Sequence, residues 1–304
     1  MIPTPVTTLT QAQAADVRAL AATAARHDGV PPLSEAYLLR LDQPNAATHL
    51  LDRGASGGLA AYGQVAADGA AELVVHPDAR RAGRGGGLLA AAAEHGARAV
   101  WAHGDLPAAR ALAERSGLPP TRLLLKLVRE LTPADASAAD ALPDGFVFDH
   151  FRSGDEADWL RVNAAAFAAH PEQGRVTRAD LDRLTEQPWF DPKGLILLRA
   201  KATGDLVGFH WTKIDPAEIV ALPAGGRAPA GEVYVVGLAP EVHGRGLAGP
   251  LTRAGLRHLA ARGLPAVVLY VESDNLPALA TYRKADFTDL ERHASYAVGT
   301  IERT

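Results

Sequence analysis

Apolar and polar positions along this chain describe the same order of elements twice. Residues 10–26 carry Ala and Leu at helical spacing and end on Asp28-Gly29, which predicts a helix with a glycine stop. Ser34 and Glu35 open a short second helix over residues 36–40, because a Ser side chain can take up free N–H groups. Residues 50–53, 58–65 and 71–76 read as strands separated by Gly or Asp turns. A helix over 84–95, a strand over 98–102, a helix over 106–116 and a strand over 122–131 complete the first pass. The stretch 132–144 is small, polar and rich in breakers, and is read as a linker.

The second pass predicts a strand at 146–151, helices at 156–168 and 177–186, and strands at 194–199 and 206–213. It continues with a strand at 231–238, a helix at 246–262, a strand at 266–272, a helix at 276–284 and a last strand around 294–298. Internal repetition on this scale predicts two α/β domains, each with its own core, over residues 1–140 and 141–304.

Composition narrows the class. A length of 304 residues suffices for two cores, and 47% hydrophobic with 22% charged residues is the balance of a soluble globular protein. The net charge of −4 gives no basic excess for a nucleic-acid surface and suits an amine-bearing partner. No Cys is present, so disulfides and thiolate metal sites are excluded and a reducing compartment is expected. The first residues lack a basic-apolar leader pattern and no apolar run approaches the ~20 residues of a membrane span. A cytoplasmic monomer acting on a small molecule is the expectation.

The repeat is sharpest in a short cassette. Leu73-Val74-Val75-His76-Pro77 is followed by Arg80-Arg81-Ala82-Gly83-Arg84-Gly85. Val235-Val236-Gly237-Leu238-Ala239-Pro240 is followed by His243-Gly244-Arg245-Gly246-Leu247-Ala248-Gly249. A strand, a proline turn, a Gly/Arg loop and a helix together present bare backbone N–H groups to a pyrophosphate at a helix N-terminus. A dinucleotide fingerprint fails, because no intact GxGxxG with a suitably spaced acid occurs, and no GxxxxGK[ST] loop exists. No His/Asp/Glu grouping has metal-ligand spacing, and no Ser-His-Asp order suggests a covalent nucleophile.

These cassettes resemble motif A of the GNAT acetyltransferase superfamily, and the whole chain is similar to its tandem members. The likeness rests also on His170-Pro171-Glu172-Gln173-Gly174, Gly208-Phe209-His210-Trp211-Thr212-Lys213, Gly231-Glu232-Val233-Tyr234 and Leu269-Tyr270-Val271-Glu272-Ser273-Asp274-Asn275. It implies two GNAT-like domains, each a mixed, mostly antiparallel sheet flanked by helices. It also implies acetyl-CoA as cosubstrate, no metal, and the amine of a cysteinyl pseudodisaccharide conjugate as acceptor. Another small amine (an aminoglycoside or a peptide N-terminus) and a non-catalytic acetyl-CoA-binding module are the alternatives. The chain departs from the pattern at His243, at Ala248 before Gly249, and at Ala285 before the last Phe.

Acetyl transfer to an amine needs a neutral amine, a held oxyanion and a proton for the thiolate. Glu232 opens the strand before the second cassette, where period-2 alternation places it with Tyr234, Val236 and Leu238, and it is the candidate base. Tyr282 on the following helix is the candidate acid, its phenol protonated at an ordinary value of about 10. N–H groups at residues 236–238 are the candidate oxyanion donors. The first copy has Gly69 eight residues before Pro77, where Glu232 stands eight before Pro240, and Leu112 in the place of Tyr282. It is therefore expected to be non-catalytic and to hold cofactor at most. The resemblance further implies acceptor contacts at Glu35, Glu172, Lys213, Glu232 and Tyr270, and a cofactor contact at Asn275. His170, His210 and Trp211 are read as pocket or core residues.

Overall fold

The computed structural model describes residues 3–55, 57–137, 142–168 and 173–299. Contacts gather them into two compact units, Met1–Leu124 with Glu291–Thr304, and Leu125–Leu290. Both are mixed α/β.

The first unit opens with β1 (Thr4–Val6) and α1 (Gln11–Asp28). Thr10 and Gln13 close a capping box at the start of α1, and Gly29 ends it at φ 77°, a left-handed conformation that costs glycine little. Ala14, Val17, Leu20, Ala21 and Ala24 recur at three- and four-residue steps and form its buried stripe. After α2 (Glu35–Arg40) come β2 (Ala47–Arg53), β3 (Leu59–Ala66) and β4 (Ala70–Val75), an antiparallel run. Then α3 (Arg84–Glu94) leads to β5 (Ala99–Ala102), which lies parallel to β4, and α4 (Pro107–Arg115) follows. Leu50, Leu88 and Ala92 form the core between β2 and α3.

β6 (Pro120–Glu130) ends the first pass, and α5 (Pro133–Ala136) begins the second. The second unit then runs β7 (Phe146–His150), α6 (Glu156–Ala166), α7 (Arg178–Thr185), β8 (Leu195–Ala200) and β9 (Leu206–Lys213). A short β10 (Ile219–Ala221) forms a hairpin with the long β11 (Arg227–Leu238). After α8 (Ala248–Ala261) come β12 (Ala266–Glu272), parallel to β11, then α9 (Leu276–Lys284) and β13 (Thr288–Ala297). Trp159, Phe209 and Trp211 are fully buried at its centre. On the other face α8 lies so close to β9 that a Cβ on Gly255 would stand 2.1 Å from the His210 ring.

The units do not part at residue 140. Residues 132–137, read as linker, carry α5 and pack on α8, within the second unit. The chain's last strand returns instead to the first unit, where Ala294–Ala297 pairs antiparallel with β5. Strand pairing thus overrides sequence order, which is why a single cut was misleading. Among the described residues no helix is long and apolar enough to cross a membrane.

Candidate active site

In each unit two parallel strands begin paired and then separate. β4 and β5 keep register from Ala70↔Ala99 to Glu72↔Trp101, and β4 then runs on alone through Val75. β11 and β12 keep register from Ala230↔Ala266 to Val233↔Leu269, and β11 runs on alone through Leu238. Beyond those points the inner edge of each strand has no ladder partner, so its N–H groups are open to a ligand. Each parted strand then turns through the proline and enters the Gly/Arg loop.

In the first unit this opening is a cleft of about 570 Å³, lined among others by Leu73, Val75, Gly83, Gly85, Trp101 and Leu112. Arg81 (φ 62°) and Gly83 (φ 79°) take left-handed backbone, and Gly83 caps α3. Arg80 is fixed by two bonds to Asp28 at 2.7 and 2.8 Å, and Arg84 pairs with Asp52 at 2.5 Å. These arginines therefore brace the loop through carboxylates, and the loop's backbone, with Ala82 and Arg81 exposed, is what it offers an anion.

The second loop has Gly244 and Gly246 at φ 75° and 73°, and helix α8 starts at Ala248, two residues later than the pattern predicted. His243 turns back so that Nε2 lies 3.1 Å from the Leu238 carbonyl. The Arg245 guanidinium lies 4.7 Å from the Phe146 ring centre. Asn275 caps α9, its side chain accepting from the Ala278 N–H at 3.2 Å.

One irregularity separates the two units. Between β11 and β9 the register runs Glu232↔Lys213, Val233↔Thr212 and then Val235↔Trp211, so Tyr234 is an extra residue in a β-bulge. β4 and β3 pair without a break, from Val65↔Ala71 to Ala61↔Val75. Two expectations change as a result. Antiparallel partners share a face, so Glu232 sides with Val235 and Gly237, and not with Val236 and Leu238. The first-unit counterpart of Glu232 is Ala70, one residue on from Gly69, because β4 lacks the inserted residue.

The bulge follows Val233, the last residue of β11 paired with β12. Side-chain alternation then sorts the neighbours. Val233, Val267, Leu269, Val271 and Leu127 pack with α8 residues Leu256 and Leu259 and with Tyr282. Val128, Ala230, Ala266 and Val268 form a cluster on the opposite face. Glu232 and Tyr270 fall on this second face, so the candidate base and the candidate acid stand on opposite faces of the sheet, either side of the parted strands.

Around Glu232 the polar groups are dense. Lys213, only 7% exposed, directs Nζ over the Trp189 ring (5.0 Å) and the bulged Tyr234 ring (5.6 Å). Lys126, 5% exposed, bonds Glu218 at 2.8 Å and also bonds the Tyr270 hydroxyl. The Tyr270 phenol is held above its ordinary value, first by desolvation of the hydroxyl and then by the Glu232 and Glu218 charges, with Lys126 opposing. The desolvation is local to the hydroxyl, since 40% of the residue as a whole stays exposed. Tyr282 is buried, and burial pushes its phenol up to about 12.

Of the expected acceptor contacts, Lys213, Glu232 and Tyr270 thus come together in the second unit. Glu35 is the first residue of α2 in the first unit, and Glu172 and His170 lie outside the described residues. His210 and Trp211 are core residues, fully buried. Lys126 and Glu218 were not anticipated: they lie outside the motifs, and only strand order brings them to Tyr270. Among the described residues no group of three or more His, Asp or Glu side chains could hold a metal ion.

A sheet with parted parallel strands over a Gly/Arg loop is the architecture of acetyltransferases of the GNAT type, and the comparisons agree. The model of the acetyltransferase (GNAT) family matches residues 159–287. The fold resembles a GCN5-related N-acetyltransferase from Sphaerobacter thermophilus (TM-score 0.71, 22% identity, 98% of this chain and 96% of that one). It resembles equally a tandem GNAT protein of the clavulanic acid pathway (TM-score 0.71, 19% identity, 99% and 98% covered). In sequence the chain is 47% identical to the mycothiol acetyltransferase of Thermomonospora curvata, over 92% of both proteins. It is 45% identical to that of Streptomyces griseus, over 95% of this chain and 92% of the other. The chain belongs to the mycothiol acetyltransferase family.

Proposed function

We propose that this protein transfers an acetyl group from acetyl-CoA to the cysteinyl amine of desacetylmycothiol (Cys-GlcN-Ins), giving mycothiol in the last step of its biosynthesis. The family supports the reaction and the acceptor. The observation that carries the choice of site is Glu232 beside the point where β11 and β12 part, where the first unit has Ala70.

Acetyl-CoA brings an activated acyl group. The open edge of β11 and the Gly244–Gly246 loop fit its pantetheine and pyrophosphate, and Asn275 stands at the start of the helix that follows. Glu232 takes the proton from the acceptor ammonium, directly or through water, and frees the nitrogen lone pair. N–H groups of residues 236–238 hold the oxyanion as the C–N bond forms. Tyr282 donates to the sulfur as the C–S bond breaks. One amide, one free thiol and one proton result. Lys213 and Tyr270 are acceptor contacts, together with Glu35 and Glu172. The first unit, with Ala70 and Leu112 in the corresponding places, holds cofactor without chemistry.

Mass-spectrometric detection of acetylated product with Cys-GlcN-Ins as acceptor tests the reading. Turnover of an aminoglycoside or a peptide in preference to it would move the assignment to another amine, and no turnover of any amine would leave a binding module.

A further inference from the structure

Lys126 and Glu218 belong to no motif, yet they sit against the most exposed aromatic ring of the second unit's polar cluster. Tyr270 leaves 40% of its surface open, whereas Lys126 beside it is 5% exposed. The Lys126 ammonium lies 5.4 Å from the Tyr270 ring centre, bonds its hydroxyl, and meets Glu218 Oε1 at 2.8 Å. Glu218 is itself anchored, its N–H bonded to the Asp215 carbonyl (3.0 Å) and its carbonyl accepting from the Ala230 N–H (3.0 Å), which ties it to the β10–β11 hairpin. A buried ammonium is expensive unless paired, and an apolar residue at this position of β6 would pack with Val128 and Val268 at no such cost.

We propose that the Lys126–Glu218 pair is a positioning device that pins Tyr270, so that its ring face and hydroxyl meet a polyhydroxylated acceptor beside Glu232. Tyrosine suits that task, since one end is an apolar plate for the C–H face of a sugar or cyclitol and the other a hydrogen-bonding tip. A tyrosine on an exposed strand end would otherwise sample several rotamers, and fixing it beforehand lowers the entropy lost when the acceptor binds. Lys126 and Glu218 act through Tyr270 and need not touch the acceptor. The kinetic consequence rests on the acceptor reading above, whereas the pinning itself does not.

The test uses Lys126→Met, Glu218→Gln, Tyr270→Phe and the double variant Lys126→Met/Tyr270→Phe in the full chain. With Cys-GlcN-Ins and saturating acetyl-CoA, Lys126→Met should raise the acceptor KM about 3–10-fold, the factor of one lost hydrogen bond. Its kcat and its KM for acetyl-CoA should stay within about twofold of the wild type. In the Tyr270→Phe background the same substitution should add nothing, because the bond it removes is already gone. A general loss of structure would persist in that background. Glu218→Gln, whose amide oxygen can still accept from Lys126, should act in the same direction more weakly, and it serves if the methionine variant does not fold. Side-chain NMR of labelled tyrosine, without acceptor, should give one sharp Tyr270 resonance in the wild type and a broadened or split one in Lys126→Met. An unchanged resonance, an unchanged KM, or additive effects in the double variant would overturn the proposal. A wild type inactive on Cys-GlcN-Ins would overturn the acceptor reading, and the resonance would still decide the pinning.

Discussion

Replacing Tyr282 by Phe should slow turnover modestly, and the burial of the phenol says by how much. Its value is pushed up to about 12, whereas a thiol lies near 8.5. Complete proton transfer from this phenol to the departing thiolate is then uphill by roughly 3.5 units, about 5 kcal/mol. In the proposed mechanism the gain from Tyr282 is therefore that of a hydrogen bond to the negative charge developing on sulfur, made before the proton passes. A hydrogen bond to a charged group is worth about 1.5–3 kcal/mol, so Tyr282→Phe should lower kcat about 10–150-fold. That is the low end of what a lost acid–base group costs. Product should be followed by mass spectrometry, because the cysteinyl acceptor carries a thiol that a thiol-trapping reagent would also report. A loss beyond about 10³-fold, or a basic limb of kcat below about pH 10 that vanishes in the variant, would mean that the phenol is far more acidic than its burial allows.

Glu232→Gln should cut kcat about 10²–10⁴-fold at neutral pH, with the deficit shrinking above about pH 8 as the acceptor amine loses its proton unaided. Near-wild-type rates across the pH range would remove Glu232 from the mechanism. His210, buried against the Leu251 carbonyl, has its value lowered to about 4 from 6.5, chiefly by desolvation. The unfolded chain binds the extra proton first, so stability is lost as pH falls from about 6.5 to about 4, by up to about 3 kcal/mol from this group. His210→Asn should show a shallower acid dependence in urea unfolding, and parallel curves would exclude the effect. Disrupting the first loop by Arg80→Ala with Gly83→Val should abolish cofactor binding there, read by native mass spectrometry, while leaving turnover in place. Loss of turnover with the fold and second-site binding intact would give the first unit a part in catalysis.

Much of the fold was legible because helices and strands here follow their periods. The glycine stop at Gly29 is a local signal that the structure uses as expected, whereas Ser34 stands at the start of α2 without making the expected side-chain cap bond. β1 and β10, each three residues long, carry no period and escaped notice. The return of the last strand to β5 is a long-range pairing that no local pattern encodes. The site divides the same way. Glu232, Lys213 and Tyr270 stand in distinctive strings, whereas Lys126 and Glu218 are one charged residue in an ordinary strand and one in a loop. Only the strand order that sets β6 beside β12 gives them a role.

The bulge changes which residues of the repeated sequence correspond at the candidate reaction centre. Counting back from the prolines matches Glu232 with Gly69, and that match holds only if both strands are regular. β11 is not. The inserted Tyr234 brings its ring within 5.1 Å of Trp189 and 5.6 Å of Trp211, between the Lys213 ammonium and the core, and shifts every later residue by one face. Deleting it would give the regular pairing of β4 and leave Val235 and Gly237 on the face of Glu232, as Glu72 and Val74 share the face of Ala70. The first unit keeps the loop and a sizeable cleft, and so keeps what a cofactor needs. It lacks the bulged tyrosine, and it has Ala70 in place of the Glu232 carboxylate. On the proposed reading, loss of chemistry with retention of binding follows from the two substitutions at Ala70 and Leu112, while a Gly/Arg loop is kept.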